Sequence, residues 1–568
     1  MHSKFLARNQ TLGQALHDVA AAHPGRETLV LGEQRITLRQ LDERVLALAA
    51  GLAGLGIGRG DKVGLLLGNC PEYVYAVFAV AELGAAAVPI NTQSRLRELE
   101  FILTDADAVA VISDVKAPGN DLLALLAELR PALPKLRHVI VNAGPDAALA
   151  QDHVSFARLL ADGQARRAAG AIAVSPAEPT DVAMLLYTSG TTSTPKGAMH
   201  SHRSLLMASR LIVAKYGKEL RPSVEMIRTL PRYLKKLTRL PFLLEALLTQ
   251  LDWTQLRLLV LTPFYHIAGY FQVILGILAG DKLIVMERFH PEKALELIQK
   301  EHVTLVVGVP PMYQAMLSRP DFEKFDVSSV IISLTTAMPT QPQLVKELRE
   351  RVGGFVVILY GATEIAATTV TIPRDDYEKQ ETTVGRADFE GVQVKIVDDQ
   401  RHEVPRGAPG EIAVLAPSMM EGYYKRPEAT AAAVDAAGWY YTGDVGVMDS
   451  QGYVQVLGRR GDMIIRAGAN IYPAEIEHFL LTHPQIAQAA VIGVPSPAAG
   501  GEKVRAYVVA RSGATMTQTD VLSYCWGQIA AYKVPDEVIF VDALPVTSAL
   551  QKVQHFRLRE QARQEAQT

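Results

Sequence analysis

Cysteine is scarce: the 568-residue chain has two, Cys70 and Cys525. Thiols that far apart argue against a disulfide framework and a cysteine-based zinc site, and they suit a reducing compartment. A surplus of one charge is missing as well. Lys and Arg number 57 against 60 Asp and Glu, a net charge of -3. No global attraction to nucleic acid or anionic lipid is therefore expected. The opening residues, MHSKFLARNQTLGQ, lack the apolar run of a secretory signal, so a cytoplasmic location is expected. Long uncharged runs are few. Leu258 to Gly280 contains no Asp, Glu, Lys or Arg and matches the ~20 residues a bilayer span needs. Pro263, Tyr265, His266, Gly269 and Tyr270 interrupt it, so a buried strand, a polar loop and a buried helix are predicted instead. No internal repeat is found.

What is present is an alternation. Leu41 to Leu55 reads as a helix, Val63 to Leu67 as a strand, Tyr73 to Leu83 as a helix and Ala86 to Ile90 as a strand. Leu258 to Met312 repeats the pattern, with strands at Lys282 to Met286 and Leu305 to Val309. Such alternation predicts an α/β fold with helix-covered parallel sheets. The run GLGIGRG after the first helix does not fit a dinucleotide-binding loop, which follows a strand and opens a helix. From about Val384 short strands separated by Gly and Pro suggest a small β-rich unit, and after Arg460 a compact α+β segment runs to about Arg559. The polar end, QARQEAQT, is expected to fray. The expected division is a large domain over 1–460, with 384–460 its β-rich part, and a small one over 461–568.

Residues Arg221 to Leu251 carry six basic side chains against two acids, a net +4 (6 − 2), between Pro-interrupted apolar stretches. The segment reads as a solvated insertion, with peripheral membrane contact at the inner face of a membrane as the alternative.

The densest chemical signal is MLLYTSGTTSTPKG, Met184 to Gly197. An apolar strand enters a loop of Ser, Thr and Gly closed by Lys196. Hydroxyls donate hydrogen bonds, glycine lets backbone N–H groups approach phosphate oxygens, and lysine adds a mobile cation. The Walker A spacing is absent. The string resembles the phosphate loop of the adenylate-forming superfamily of acyl-CoA synthetases, peptide-synthetase adenylation domains and luciferases. It matches that pattern at Thr188, Ser189, Gly190, Thr191, Thr192, Pro195, Lys196 and Gly197, and departs at Ser193, where glycine is usual. TPFYHIAG, LYGATE, WYYTGD, GRRGDMI, RAGANIYPAEIE and the C-terminal LPVTSALQKVQ follow in that family's order.

The resemblance implies a large N-terminal domain and a small mobile C-terminal one, ATP and CoA as cosubstrates, and Mg²⁺. It implies that Thr188 to Thr192 and Lys196 hold phosphates. Tyr360 would lie against adenine, Thr363 would hold the α-phosphate, and Glu364 would bind Mg²⁺. Asp444 and Arg459 would take the ribose. His266, Phe264, Tyr265, Thr335 and Thr336 would border the acyl group. Gly468, Ala469 and Asn470 would meet the pantetheine arm of CoA, Gly461 would sit at the hinge, and Lys552 would be the catalytic lysine. Thr335-Thr336 stands where the family has two glycines, Gly461 where Lys or Asp is common, and Gln551 where glycine precedes the lysine.

The implied activity is an ATP-dependent acyl-CoA synthetase acting through acyl-AMP on a carboxylic acid, with a medium or long fatty acid favoured by apolar residues such as Ile267, Tyr270 and Ile365. Alternatives are a ligase that loads a carrier protein, an aryl or alicyclic acid–CoA ligase, and a non-catalytic nucleotide sensor. No nucleic-acid partner is expected, and a homodimer is a candidate assembly.

Overall fold

The computed structural model describes residues 9–144, 149–170, 176–188, 195–219, 255–373, 375–466, 469–496, 501–547 and 552–565, leaving aside the side chains of 212–219. The insertion 221–251 lies outside the described residues, as do Ser189, Gly190, Thr191, Thr192, Ser193, Gly468 and Gln551.

The alternation read from the sequence is what the chain builds. The hydroxyl of Thr37 accepts the Gln40 backbone N–H while the Gln40 side chain accepts that of Thr37. This reciprocal cap, worth about 1 kcal/mol, starts the helix Leu38–Gly54. The strand Lys62–Leu66, the helix Pro71–Glu82 and the strand Ala86–Pro89 follow. Strands such as Ala86–Pro89 and Leu305–Gly308 are buried at every residue. Covered on both faces by helices, they read as apolar runs rather than alternating ones.

The chain forms two compact units. The first comprises Met1–Glu381, Ala387–Gln393 and Leu415–Ala436 and contains two eight-stranded sheets. In one, Ala86–Pro89, Lys62–Leu66, Ala110–Asp114 and His138–Asn142 run parallel in that order. Val182–Thr188 continues it, parallel to Ala86–Pro89, and the antiparallel Lys196–Ser201 then pairs with Gly422–Tyr423 at the edge. In the other, Phe355–Tyr360, Ile332–Thr336, Leu305–Gly308, Arg257–Val260 and Lys282–Ile284 run parallel. The uncharged run 258–280 resolves into the strand Arg257–Val260 and the buried helix Ile267–Ala279. Among the described residues no helix is long and apolar enough to cross a membrane.

The second unit comprises Thr382–Arg386, Val394–Val414 and Ala437–Thr568. It groups the β-rich strands with the C-terminal α+β segment. Its four-stranded sheet is ordered Gln393–Val397, Pro409–Leu415, Tyr440–Met448, Val454–Arg459. Its five-stranded sheet centres on the long hairpin Ile486–Ser496 with Gly501–Ala510. The expected fraying of QARQEAQT is corrected for its first five residues, the last three lying outside the described residues. The helix His555–Glu565 extends into it. Leu558 and Ala562 are buried in a cluster with Ala490, Ile492 and Tyr507, and Glu565 accepts from Arg505 at 2.7 Å. Gln561, Arg563, Gln564 and Glu565 are the exposed outer face of an amphipathic helix.

Candidate active site

The strands flanking the Ser/Thr/Gly string pair antiparallel, with Thr188 opposite Lys196. Their pairing sets Lys196 at the base of the string. Its ammonium lies 5.2 Å from the centroid of the Tyr423 ring. Tyr423 is brought there by the edge pairing of Ala198 with Tyr423. The Tyr423 hydroxyl donates to Glu364 Oε1 at 2.7 Å, and Glu364 is buried to 8% exposure.

Glu364 stands on a sharp loop after the strand Phe355–Tyr360. At Gly361 a Cβ would lie 1.8 Å from the Ala366 carbonyl oxygen, so only glycine allows the chain to fold back there. Ala366 itself is left-handed, with φ of 56°, a conformation that costs a non-glycine residue ~1 kcal/mol or more. The loop is then tied from three sides. The Met420 N–H donates to the Glu364 carbonyl at 2.7 Å. The Ser418 hydroxyl donates to the Ile365 carbonyl at 3.0 Å, and His200 Nε2 lies 2.7 Å from the Thr363 carbonyl. Burial pushes His200 down to about 4, so its ring is neutral at physiological pH. A neutral ring facing a carbonyl must carry its proton on Nε2, which leaves Nδ1 to accept from the Ser204 hydroxyl at 3.2 Å.

On the acyl side, His266 caps the helix Ile267–Ala279, its Nδ1 accepting from the Ala268 N–H at 3.3 Å. Tyr265, His266 and Ile267 keep part of their surface open. Phe264 does not. It is buried 5.7 Å from the Tyr73 ring, and its N–H donates to Asn69. Tyr270 and Ile365 are equally buried. Burial pushes the Tyr265 hydroxyl up to about 12. Thr335 is fully buried and its hydroxyl pairs with Thr340 at 3.0 Å, while the Thr336 hydroxyl donates to the Leu359 carbonyl at 2.9 Å. The Thr336 hydroxyl is therefore tied to the neighbouring strand, and that of Thr335 to the loop that follows its own.

In the second unit Asp444 and Arg459 face each other across paired strands, with Arg459 Nε 2.7 Å from Asp444 Oδ1. The Thr442 hydroxyl accepts the Asp444 N–H at 3.0 Å within the strand Tyr440–Met448. The ammonium of Lys552 sits in the field of the same pair. Desolvation of the ammonium first, although the residue as a whole is exposed, and the Arg459 charge second hold it below the ordinary lysine value, against the pull of Asp444 and Asp462. Gly461 lies in the short turn Arg460–Asp462. A Cβ there would meet nothing within 4 Å, and no left-handed φ demands glycine. Ala469 and Asn470 lie on the strand Ala469–Ile471, with Asn470 exposed.

The AMP-binding enzyme family matches residues 16–424, and its C-terminal domain matches 475–549. The chain belongs to the AMP-binding enzyme family. Its fold is that of the adenylate-forming superfamily. Among AMP-binding relatives, the medium-chain acyl-CoA ligase ACSF2, mitochondrial, of Mus musculus is 30% identical over 98% of this chain and 88% of its own length. A methyl-dioxo-octahydro-indenyl-propanoyl:CoA ligase of Mycobacterium tuberculosis is 34% identical over 97% of this chain and 99% of its own. The ATP-bound structure of MatB from Rhodopseudomonas palustris superposes with a TM-score of 0.80 at 28% identity, covering 97% of this chain and 99% of that one.

In this AMP-binding enzyme the structure thus brings Lys196, Thr363 and Glu364 into one network, and pairs Asp444 with Arg459, in whose field Lys552 lies. Two members escaped the sequence reading. His200 gave no local signal, since a histidine four residues past Lys196 resembles any strand residue. Tyr423 had a faint one: the aromatic pair of EGYYKRPE follows a glycine with φ of 134°, but nothing in the string says that the chain leaves its own sheet to reach Glu364. The donor set also suits Mg²⁺. Among the described residues no cluster of three metal-ligating side chains exists. Mg²⁺ in nucleotide enzymes is held by one or two carboxylates plus substrate phosphates, which a single buried Glu364 would supply.

Proposed function

We propose that this AMP-forming acyl-CoA synthetase activates a medium- or long-chain fatty acid, and that its site residues act as follows. Lys196, with the loop it closes, takes the polyphosphate. Glu364 holds Mg²⁺, which when bound neutralises phosphate charge. Asp444 and Arg459 take the ribose, an ionised carboxylate being a strong acceptor for paired hydroxyls. Lys552 stabilises charge as a carboxylate oxygen attacks the α-phosphorus and pyrophosphate leaves. The CoA sulfur then attacks the acyl carbonyl, and the bond to AMP breaks.

The observation that carries the reading is the Lys196–Tyr423–Glu364 arrangement, a cation and a buried carboxylate held close without pairing. The fatty-acid choice is supported by the ACSF2 relative and by the apolar helix Ile267–Ala279, buried from Gly269 onward. The Mycobacterium relative favours a second reading, an alicyclic propanoate. A panel of hexanoate to palmitate, aryl and alicyclic acids with CoA, read as AMP release, tests both. Preference for an alicyclic or aryl acid would overturn the fatty-acid reading, and AMP release only with a carrier protein would overturn the CoA reading.

The turn at Arg460 and Gly461, inside the second unit and at the boundary expected from the sequence, is proposed as the hinge of a rotation between the two half-reactions. The open surroundings of Gly461 make the test clean for the side chain, while proline would fix φ near -65° and restrict Arg460 as well. Gly461→Pro is expected to keep acyl-AMP formation and slow transfer to CoA at least tenfold, as gating motions typically limit turnover. Single-turnover measurement of each step, beside thermal unfolding, checks this. Equal loss of both steps with a lowered Tm would mark a merely structural turn.

A further inference from the structure

We infer that Tyr423 is a positioning residue for the ATP·Mg²⁺ half of the reaction, holding Lys196 and Glu364 apart so that neither neutralises the other. The inference rests on the roles proposed above for those two residues.

The argument starts with what the two charges would otherwise do. A lysine and a partly desolvated carboxylate at close range attract strongly, because low dielectric magnifies the pair. A closed Lys196–Glu364 ion pair would occupy the cation meant for phosphate and the anion meant for metal, and ATP·Mg²⁺ would have to break it on entry. Among the described residues no such pair forms. Tyr423 engages both charges: its hydroxyl donates to Glu364 Oε1 at 2.7 Å, and its ring lies 5.2 Å from the Lys196 ammonium. The ring offers the cation an electrostatic resting place weaker than an ion pair. The hydroxyl takes one carboxylate oxygen as a charge-assisted donor without cancelling the charge. Each partner is held, and neither is neutralised.

The chain invests structure in this placement. Leu415–Ala436 belongs to the first unit, although the segments on either side of it belong to the second. Within that excursion Tyr423 is buried, its N–H donates to the Thr430 hydroxyl at 2.9 Å, and Ser418 and Met420 secure the Glu364 loop. A tyrosine needed only for packing could be phenylalanine. The hydroxyl is explained by Glu364.

The test uses the full chain without acid substrate, so that binding is read apart from turnover. ATP binding is titrated by calorimetry at several Mg²⁺ concentrations, with thermal unfolding alongside. Tyr423→Phe keeps the ring and loses the hydroxyl. It is expected to weaken ATP·Mg²⁺ binding about tenfold, the scale of one hydrogen bond to a charged group. In separate turnover assays KM for the acid should move less than twofold, and the second half-reaction from supplied acyl-AMP should not change. Tyr423→Leu removes both contacts and should weaken binding further. In a Lys196→Met background the same Tyr423→Leu change should cost much less, because no cation is left to collapse onto Glu364. Equal effects of Tyr423→Leu in both backgrounds, or unchanged ATP·Mg²⁺ binding in Tyr423→Phe, would overturn the inference. Wild-type protein that binds no ATP would instead overturn the proposed function on which it rests.

Discussion

Lys552→Ala is expected to slow acyl-AMP formation ~10²–10³-fold, the usual cost of removing one donor aimed at developing charge, while thioester formation from supplied acyl-AMP proceeds at its normal rate. The asymmetry follows from where charge builds up. Attack of a carboxylate on the α-phosphorus crowds negative oxygens together, whereas attack of a thiol on an acyl-AMP begins from an electrophile already activated. The substitution should spare the fold, since the link Lys552 makes to Thr547 uses its backbone N–H, which alanine keeps. A pH signature accompanies it. The charged form does the work, and the Lys552 pKa is held below the ordinary 10.5 by desolvation of the ammonium and by Arg459. Adenylation in the wild type should therefore fall on the alkaline side earlier than an ordinary lysine would dictate, and Lys552→Ala should abolish that limb. Single-turnover rates of the two steps across pH check both points. Equal damage to both steps would remove Lys552 from the role.

Glu364→Gln should raise the Mg²⁺ concentration needed for half-maximal adenylation about tenfold or more, because Mg²⁺ requires hard, charged oxygen ligands. The choice of glutamine matters. Its side-chain oxygen can still accept from the Tyr423 hydroxyl, so the 2.7 Å contact survives and only the charge is lost. The Met420 and Ser418 ties to this loop run to carbonyls of residues 364 and 365 and are untouched. A loss of activity can thus be assigned to the metal rather than to a collapsed loop. A Mg²⁺ titration superimposable on the wild type would take Glu364 out of the site.

How much of this could be read from the chain depends on the range of each interaction. The parallel strands and their helices were legible because their periodicity is local: Lys62–Leu66 and Ala86–Pro89 lie within a residue or two of the expected positions. The uncharged run at 258–280 was legible as strand, loop and helix because Pro263 and His266 punctuate it. The motif residues could be singled out because each sits in a string with a distinctive spacing. What was hidden is what a sheet edge does. Tyr423 reaches Glu364, 59 residues away, because a two-residue strand adds itself to the hairpin of Val182–Thr188 and Lys196–Ser201. His200 reaches Thr363, 163 residues away, from the strand Lys196–Ser201. Neither contact has a sequence period. The C-terminal residues failed for another reason. A helix with a narrow apolar stripe, here Leu558 and Ala562, looks like solvated chain until the surface that buries the stripe is known.

The most direct test of the central claim follows an oxygen atom. A carboxylic acid labelled with oxygen-18 in both carboxylate positions is incubated with the enzyme, ATP, Mg²⁺ and CoA for a single turnover, and the products are weighed by mass spectrometry. If a carboxylate oxygen attacks the α-phosphorus and CoA then displaces AMP, one labelled oxygen ends in AMP, one stays in the thioester carbonyl, and pyrophosphate carries none. Label in a phosphate product derived from the γ- or β-position, or AMP formed without label, would contradict an acyl-AMP pathway in this protein.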